Sequence, residues 1–534
     1  MKHRLLYIFC AFLLLLSFVD CAKRGTPSGG KKDSIPPIIV KSIPENFSIN
    51  FSENEIRIVF DEYIKLKDLQ QNLIVSPPLK YTPIITPLNT SKTLKIQILD
   101  TLKENTTYSF NFGKSIVDNN EENPYDYFKY VFSTGDYIDS LSLSGSVKDA
   151  LLLHPETTTA VMLYELTETF NDSLIYSEKP TYVATTRDST QAFELTNLKE
   201  GRYLLLALQE KTNDFIFQPK KDKIGFVKEY VTIPTDSLYT LSIFKEIPAY
   251  KIARPNHESK NHIIFGYEGI ADDLSLDIIS ETPSDFDSTI IRDLKKDTLH
   301  YWFKPAMEVD SLLFLAKNKE VVDTLTVRIR NLNPDSLKVS AINSGIILPR
   351  DTLHLTAKTP FVSFDSEKIQ VVDQDTIAIP ATGIFDAIYN TASVIFDKTE
   401  STTYKVELLP GALTDFFENS HDTLSYVVRT RAISDYGSLN LSLVNAKNFP
   451  IIIELVDNNF NVLSKKYITE NTPVDFDFVP PGDYYVRIIY DENENEKWDT
   501  GDFLLRTQPE KVIYFPEQIQ IFSNHSIIET FILK

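Results

Sequence analysis

The chain has 534 residues, a formal net charge of −20 and two cysteines. That length allows several hydrophobic cores, since domains typically run about 50–200 residues. The acidic balance argues against a nucleic-acid partner, because a phosphate polymer would be repelled, and so few cysteines exclude a disulfide framework and cysteine-based zinc sites.

At the N-terminus, Lys2, His3 and Arg4 precede an apolar run from Leu5 to Val19 broken only by Ser17. This is the layout of a secretory signal peptide over residues 1–20. The run falls short of the roughly 20 apolar residues of a spanning helix. Cys21 follows, and residues 21–36 read as a flexible tether rich in Gly, Ser, Pro and Lys. The order of basic head, apolar run, cysteine and polar tether resembles a bacterial lipoprotein signal, although Asp20 and Phe18 stand where that class has a small and an aliphatic residue. The resemblance implies a covalent lipid at Cys21 and attachment to a membrane through it. Cys10 lies in the removed segment, so Cys21 would be the one cysteine of the mature chain. Ala22, in place of the Asp that retains some lipoproteins in the inner membrane, implies the outer membrane. The basic tether implies its periplasmic face over the cell surface.

Beyond the tether, apolar and polar residues alternate over short stretches, as in half-buried strands. Examples are Glu55–Phe60 (EIRIVF), Thr107–Phe112 (TYSFNF), Tyr203–Leu208 (YLLLAL), Asp323–Ile329 and Tyr484–Tyr490. Turn signals recur at the spacing of β-sandwiches, and only short helical turns are expected, one of them around Leu66–Gln71. Two repeats organise the chain. Residues 106–134 (TTYSFNFGKSIVDNNEENPYDYFKYVFST) match 402–430 (TTYKVELLPGALTDFFENSHDTLSYVVRT), aligning Tyr108 with Tyr404, Asp118 with Asp415 and Thr134 with Thr430. Residues 193–208 match 474–489, aligning Gly201 with Gly482 and Tyr203 with Tyr484. The order is an A unit, a B unit, a strand-rich spacer, then A and B again. The fold class expected is therefore all-β, with tandem β-sandwiches at 37–136, 137–245, 246–342, 343–432 and 433–534.

The first of these carries PPIIVKSIPENFSINFSENEIRIVFDEYIKL, LIVSPPL, TTYSFNFGKSIVDNNEENP and YVFSTG. It resembles the bacterial Ig-like domain of S-layer proteins and Bacteroidota lipoproteins. Residues 343–432 resemble a diverged second copy that lacks the FSTG ending. The B units resemble the prealbumin-like or carboxypeptidase-regulatory sandwich, with SGSVKDA as an opening strand. These resemblances imply an envelope protein and carry no catalytic residues.

One loop has the composition of a cation site. Asp491–Asp502 (DENENEKWDTGD) places oxygen side chains at Asp491, Asn493, Asn495, Asp499 and Asp502, a spacing that can serve calcium, a cation that takes six to eight oxygens. Glu496 replaces the glycine usual at its sharp turn, and a hairpin loop stiffened by Asx turns explains the same residues. The corresponding loop of the first B unit, Glu210–Asp222, has lysines in ligand places. Asp118–Asn123 reads as a turn. A recurrent Asp-Ser/Thr tripeptide resembles an O-glycosylation sequon, and it also suits strand-leading turns. No nucleophile elbow, phosphate loop or zinc-protease motif occurs. The expected function is a non-catalytic envelope lipoprotein, an architectural spacer or protein-interaction module. The alternative is a glycan-binding accessory protein, which exposed Trp or Tyr pairs would favour. The patterning of Trp302 and Trp498 predicts that both are buried.

Overall fold

The computed structural model describes residues 33–187 and 190–533, so the signal peptide, Cys21 and most of the tether lie outside the described residues. The fold is nearly all β. A four-residue helix, Leu69–Asn72, lies where a helical turn was expected.

In the first A unit, Ile39–Ile43, Glu55–Leu66, Ser91–Gln97 and Ile84–Thr86 form one sheet in that order, with Ile116–Asp118 also on Glu55–Leu66. The second sheet is Ile74–Ser76, Thr107–Asn111 and Lys129–Ser133. Alternation on Glu55–Leu66 turns Ile56, Ile58, Phe60 and Ile64 inward, where they meet Phe110, Tyr130 and Phe132 from the other sheet. The spacer folds as two sheets around Phe265, Tyr301 and Phe314. The second A unit packs its sheets around Leu355, Val394, Tyr404 and Val406.

The aligned repeats share hydrogen bonds as well as letters. Tyr108 Oη accepts the Lys103 N–H at 2.9 Å and Tyr404 Oη accepts the Thr399 N–H at 2.7 Å, each from five residues upstream. Thr134 and Thr430 accept the N–H of Thr106 and Thr402. Asp118 gathers four loop N–H groups, those of Asn120, Glu121, Glu122 and Asn123, and Asp415 gathers those of Phe417 and Asn419. The oxygen-rich loop at Asp118–Asn123 is thus a self-satisfied turn. In the B units, Tyr203 and Tyr484 donate to the carbonyls of Lys199 and Pro480 at the turns before them. Their rings lie against Gly201 and Gly482, where a Cβ would approach within 3.2 and 3.4 Å.

Both B units have one topology. Leu141–Asp149 runs between antiparallel Ala192–Leu198 and parallel Leu238–Ile243, as Gly437–Val444 runs between Val474–Val479 and Ser526–Ile532. Facing each is a five-stranded sheet whose central pair is Ala160–Glu165 with Gly201–Gln209, or Ile451–Val456 with Gly482–Tyr490.

One expectation is corrected. YLLLAL does not alternate in environment: Tyr203, Leu205 and Ala207 face the core between the sheets, while Leu204, Leu206 and Leu208 belong to a second buried cluster on the sheet's outer face. A strand covered on both faces needs an unbroken apolar run. The cover comes from the unit's own Ile175, Phe215 and Phe217, from Ile74 of the first A unit, and from Phe503 and Trp498 of the second B unit. The last unit thus packs against the second.

Candidate functional site

The loop after Gly482–Tyr490 draws Asp491, Asn493, Asn495 and Asp499 of the expected calcium site into one hydrogen-bonded turn, while Asp502 lies apart and caps the turn that follows. Asp491 is buried and accepts the N–H groups of Asn495 and Glu496 at 3.1 and 2.8 Å. Asn493 and Asn495 donate their side-chain amides to Asp499 Oδ2 at 2.7 and 2.8 Å. Asp502 Oδ1 accepts the Leu505 N–H at 2.8 Å. Glu510, which the sequence reading did not single out, crosses the loop to accept the N–H groups of Glu492 and Asp499 at 2.7 and 3.0 Å. Burial pushes its carboxyl pKa up. Glu496 adopts the left-handed turn that glycine would take, with φ 60°. Among the described residues, no three His, Cys, Asp or Glu side chains converge as a metal site.

This framework aims Trp498 and Phe503 at the first B unit. The Trp498 indole N–H donates to the Glu510 carbonyl at 3.1 Å, and its ring joins Phe503 against the outer-face cluster of Met162, Leu206, Phe226 and Phe244. Polar contacts frame the joint. Thr500 donates its hydroxyl to the Lys245 carbonyl at 2.7 Å, the Phe503 N–H donates to Glu246 Oε1 at 2.6 Å, and Gln508 donates to the Phe226 carbonyl at 2.9 Å. Burial pushes the Glu246 carboxyl pKa up. Arg506 pairs with Asp172 at 2.6 Å and lies 4.8 Å over the Phe503 ring. Gly501 lets the backbone close: a Cβ there would stand 2.6 Å from Phe244 Cζ and from the Thr507 carbonyl oxygen. The run of Leu204–Leu208 was the sequence signal for a covered outer face, but nothing in it named the covering loop.

The other tryptophan occupies a second joint. Trp302, fully buried in the spacer, packs with Ile291 against Phe416 and Phe417 of the second A unit. Lys304 donates to the Phe416 carbonyl at 2.8 Å and sits 4.5 Å over that ring. Behind Trp302, the His262 ring stacks at 3.9 Å and 4°. His262 Nε2 lies 2.9 Å from His300 Nδ1, and His262 Nδ1 lies 4.0 Å from Asp335 Oδ2. Burial and the neighbouring His300 hold the His262 pKa down to about 3, so the ring is neutral at pH 7. His257 and His262 stand on adjacent hairpin strands, and His257 Nδ1 accepts the Arg330 N–H. These histidines are joint and turn residues, with no nucleophile among their partners.

A cleft of about 630 Å³ opens at the end of the second B unit, between Asn445–Pro450 and Tyr490–Glu494. Phe449, Pro450 and Tyr490 line it together with Lys447, Lys511, Asp491, Glu492 and Glu494.

No curated protein matches the chain in sequence. Among solved structures, the chain aligns with domains 1–6 of the surface-layer protein SbsC at 12% identity, covering 92% of this chain and 68% of that one, TM-score 0.16. It aligns with the Bacteroides ovatus protein SGBP-B of a mixed-linkage glucan utilization locus, bound to a heptasaccharide, at 9% identity, covering 71% and 92%, TM-score 0.18. The Bacillus cereus major pilin subunit BcpA aligns at 10% identity, covering 74% and 99%, TM-score 0.14. Superpositions this loose carry no argument about function. The sequence match is local and firm: residues 33–134, the first A unit, match the family model of a bacterial Ig-like domain.

Proposed function

We propose that this chain is a non-catalytic cell-envelope protein, tied to the outer membrane by a lipid on Cys21, that acts as a scaffold of set shape and presents its outer faces to an envelope partner. The observation that carries the reading is the placement of the tryptophans. Trp302, fully buried, and Trp498, half-buried where burial was expected, each pack into a joint between units, where a sugar-binding surface would hold them open to solvent. Large aromatic side chains at a contact fix its geometry through area and shape.

The test is a double substitution, Trp498→Ala with Phe503→Ala, examined by small-angle scattering and limited proteolysis. A larger radius of gyration and new cleavage between Asp491 and Lys511 are expected. An unchanged particle would refute the scaffold reading. Separately, Cys21→Ala should release the protein from the membrane fraction.

A second reading, glycan binding, has one observation in its favour: the cleft beside Tyr490 combines an aromatic wall with amides and charged groups, the usual furniture of a small-ligand site. Retention of the protein on an immobilised envelope polysaccharide, lost on Tyr490→Ala, would support it over the scaffold reading.

A further inference from the structure

We propose that one narrow edge of the first A unit lies on the bilayer, as an apolar stripe beside the anchor. The inference rests on the lipid-anchor reading of Cys21.

The stripe is read from exposure and chain path. Ile38, Val40, Ile43, Phe47 and Ile49 are between 47% and 62% exposed, a dense run of large apolar side chains open to solvent. They share one border of the sandwich. Ile39–Ile43 is the end strand of its sheet. The chain then crosses to the border of the other sheet, where the Phe47 N–H donates to the Val131 carbonyl and the Phe51 N–H to the Ser133 carbonyl, both on that sheet's end strand. Scattered exposed apolar residues need no explanation, but five within twelve residues along one border are a dense set.

Three observations favour lipid over another protein as the occupant. First, the stripe begins where the tether ends. Asn123 donates its side-chain amide to the Asp33 carbonyl and fixes the start of the edge. Eleven residues separate Cys21 from Asp33, so the edge starts no more than about 40 Å of chain from the lipid-bearing residue. Second, the edge is poorly suited to strand addition. Its ladder is broken by a bulge between Ile39 and Lys41, and Pro36, Pro37 and Pro44 offer no N–H. Third, the stripe holds one basic residue, Lys41, and one acidic residue, Glu45. The run's own charges balance although the whole chain carries −20, and Arg57 and Asp61 on the paired strand add one charge of each sign beside it. Its affinity comes from apolar area, so it should depend little on lipid charge or salt.

The experiment uses the full lipidated protein in phosphatidylcholine vesicles, with a single added cysteine carrying an environment-sensitive fluorophore. Val40→Cys and Phe47→Cys report on the stripe, and Leu238→Cys, exposed in the first B unit, is the control. Blue-shifted emission and quenching by brominated lipid, several-fold stronger at the two stripe positions than at the control, are expected. The same result should hold with phosphatidylglycerol added. Water-like emission at all three positions on a protein that floats with the vesicles would overturn the inference and leave the anchor reading standing. A protein that neither floats nor carries acyl mass would overturn both. An emission shift without vesicles that grows with protein concentration would assign the edge to a second copy and overturn the bilayer contact.

Discussion

Arg487 and Glu454 sit opposite each other on paired strands of the second B unit and form a buried ion pair, Nε to Oε2 at 2.7 Å. They are on the outer face of the sheet, where ordinary strand alternation would leave them in water. The guanidinium also reaches the Leu151 carbonyl of the first B unit at 3.3 Å, and Tyr514 donates its hydroxyl to that same oxygen at 2.7 Å. The ion pair therefore lies under the B-to-B joint, and burial there comes from the partner unit.

Removing one partner of such a pair strands the other charge. Arg487→Ala is expected to destabilise the second B unit by about 3–5 kcal/mol, whereas Arg487→Met with Glu454→Leu should be nearly neutral. Urea unfolding followed by Trp498 emission measures both. Comparable losses in the two variants would show that packing of the side chains, and not their charges, holds this layer. Because several units unfold in one chain, the comparison should use the Trp498 transition alone.

The two A units offer a matched pair of tests. Tyr108→Phe and Tyr404→Phe each delete the acceptor of one backbone N–H, that of Lys103 or Thr399. Each should cost about 1 kcal/mol, in separate transitions. A loss at Tyr404 with none at Tyr108 would mean that the shared letters serve different purposes in the two copies.

How much of this was legible in the sequence follows from range. The Tyr108 and Tyr404 turns, the Asp118 and Asp415 loops and the glycine turns at Gly201 and Gly482 are local, and each uses residues within a few positions of one another. Repeats of such residues are visible as letters. Trp498 and Phe503 meet Leu206 across more than half the length of the chain, and nothing in their spacing encodes that contact. The oxygen-rich loop at Asp491 was found for its composition. Its folded form turns those oxygens to its own N–H groups, and its apolar pair serves the joint.

Glu210, the first B unit's counterpart of Asp491, should make stability depend on pH. Burial, opposed by the Phe215 N–H and aided by Asp214, pushes its pKa up to about 7. The folded state then holds a proton that the unfolded chain releases near its ordinary value. The stabilisation is complete below pH 4.5 and is lost as the pH rises to 7. The slope approaches, at most, about 1.4 kcal/mol per pH unit. Urea midpoints across this window should fall with rising pH in the native chain and flatten in Glu210→Gln, whose amide oxygen can still accept the Phe215 N–H. Equal slopes in the two proteins would exclude Glu210 as their source.

His262 should have the opposite pH dependence, at the other joint. Its pKa is held down to about 3 by burial, with His300, Lys358 and His257 adding to the effect and Asp335 opposing it. A neutral ring stacked on Trp302 contributes stability that is present above pH 6.5 and is lost as the pH falls toward 3. His300 faces Asp293 at 3.5 Å, which favours a proton on His300 Nε2 and leaves its Nδ1 to accept from His262. That assignment leaves His262 Nδ1 bare, which matches its lack of a hydrogen-bond partner. Acidification from pH 6.5 to 4.5 should loosen the contact between Trp302 and Phe416. The change should appear in tryptophan emission and as proteolysis near Phe417. His262→Asn should start from lower stability, because the stacked ring is gone, and should show a flat profile over the same range. A wild-type slope that survives this substitution would place the acid sensitivity in His300, His257 or the carboxylates around the joint.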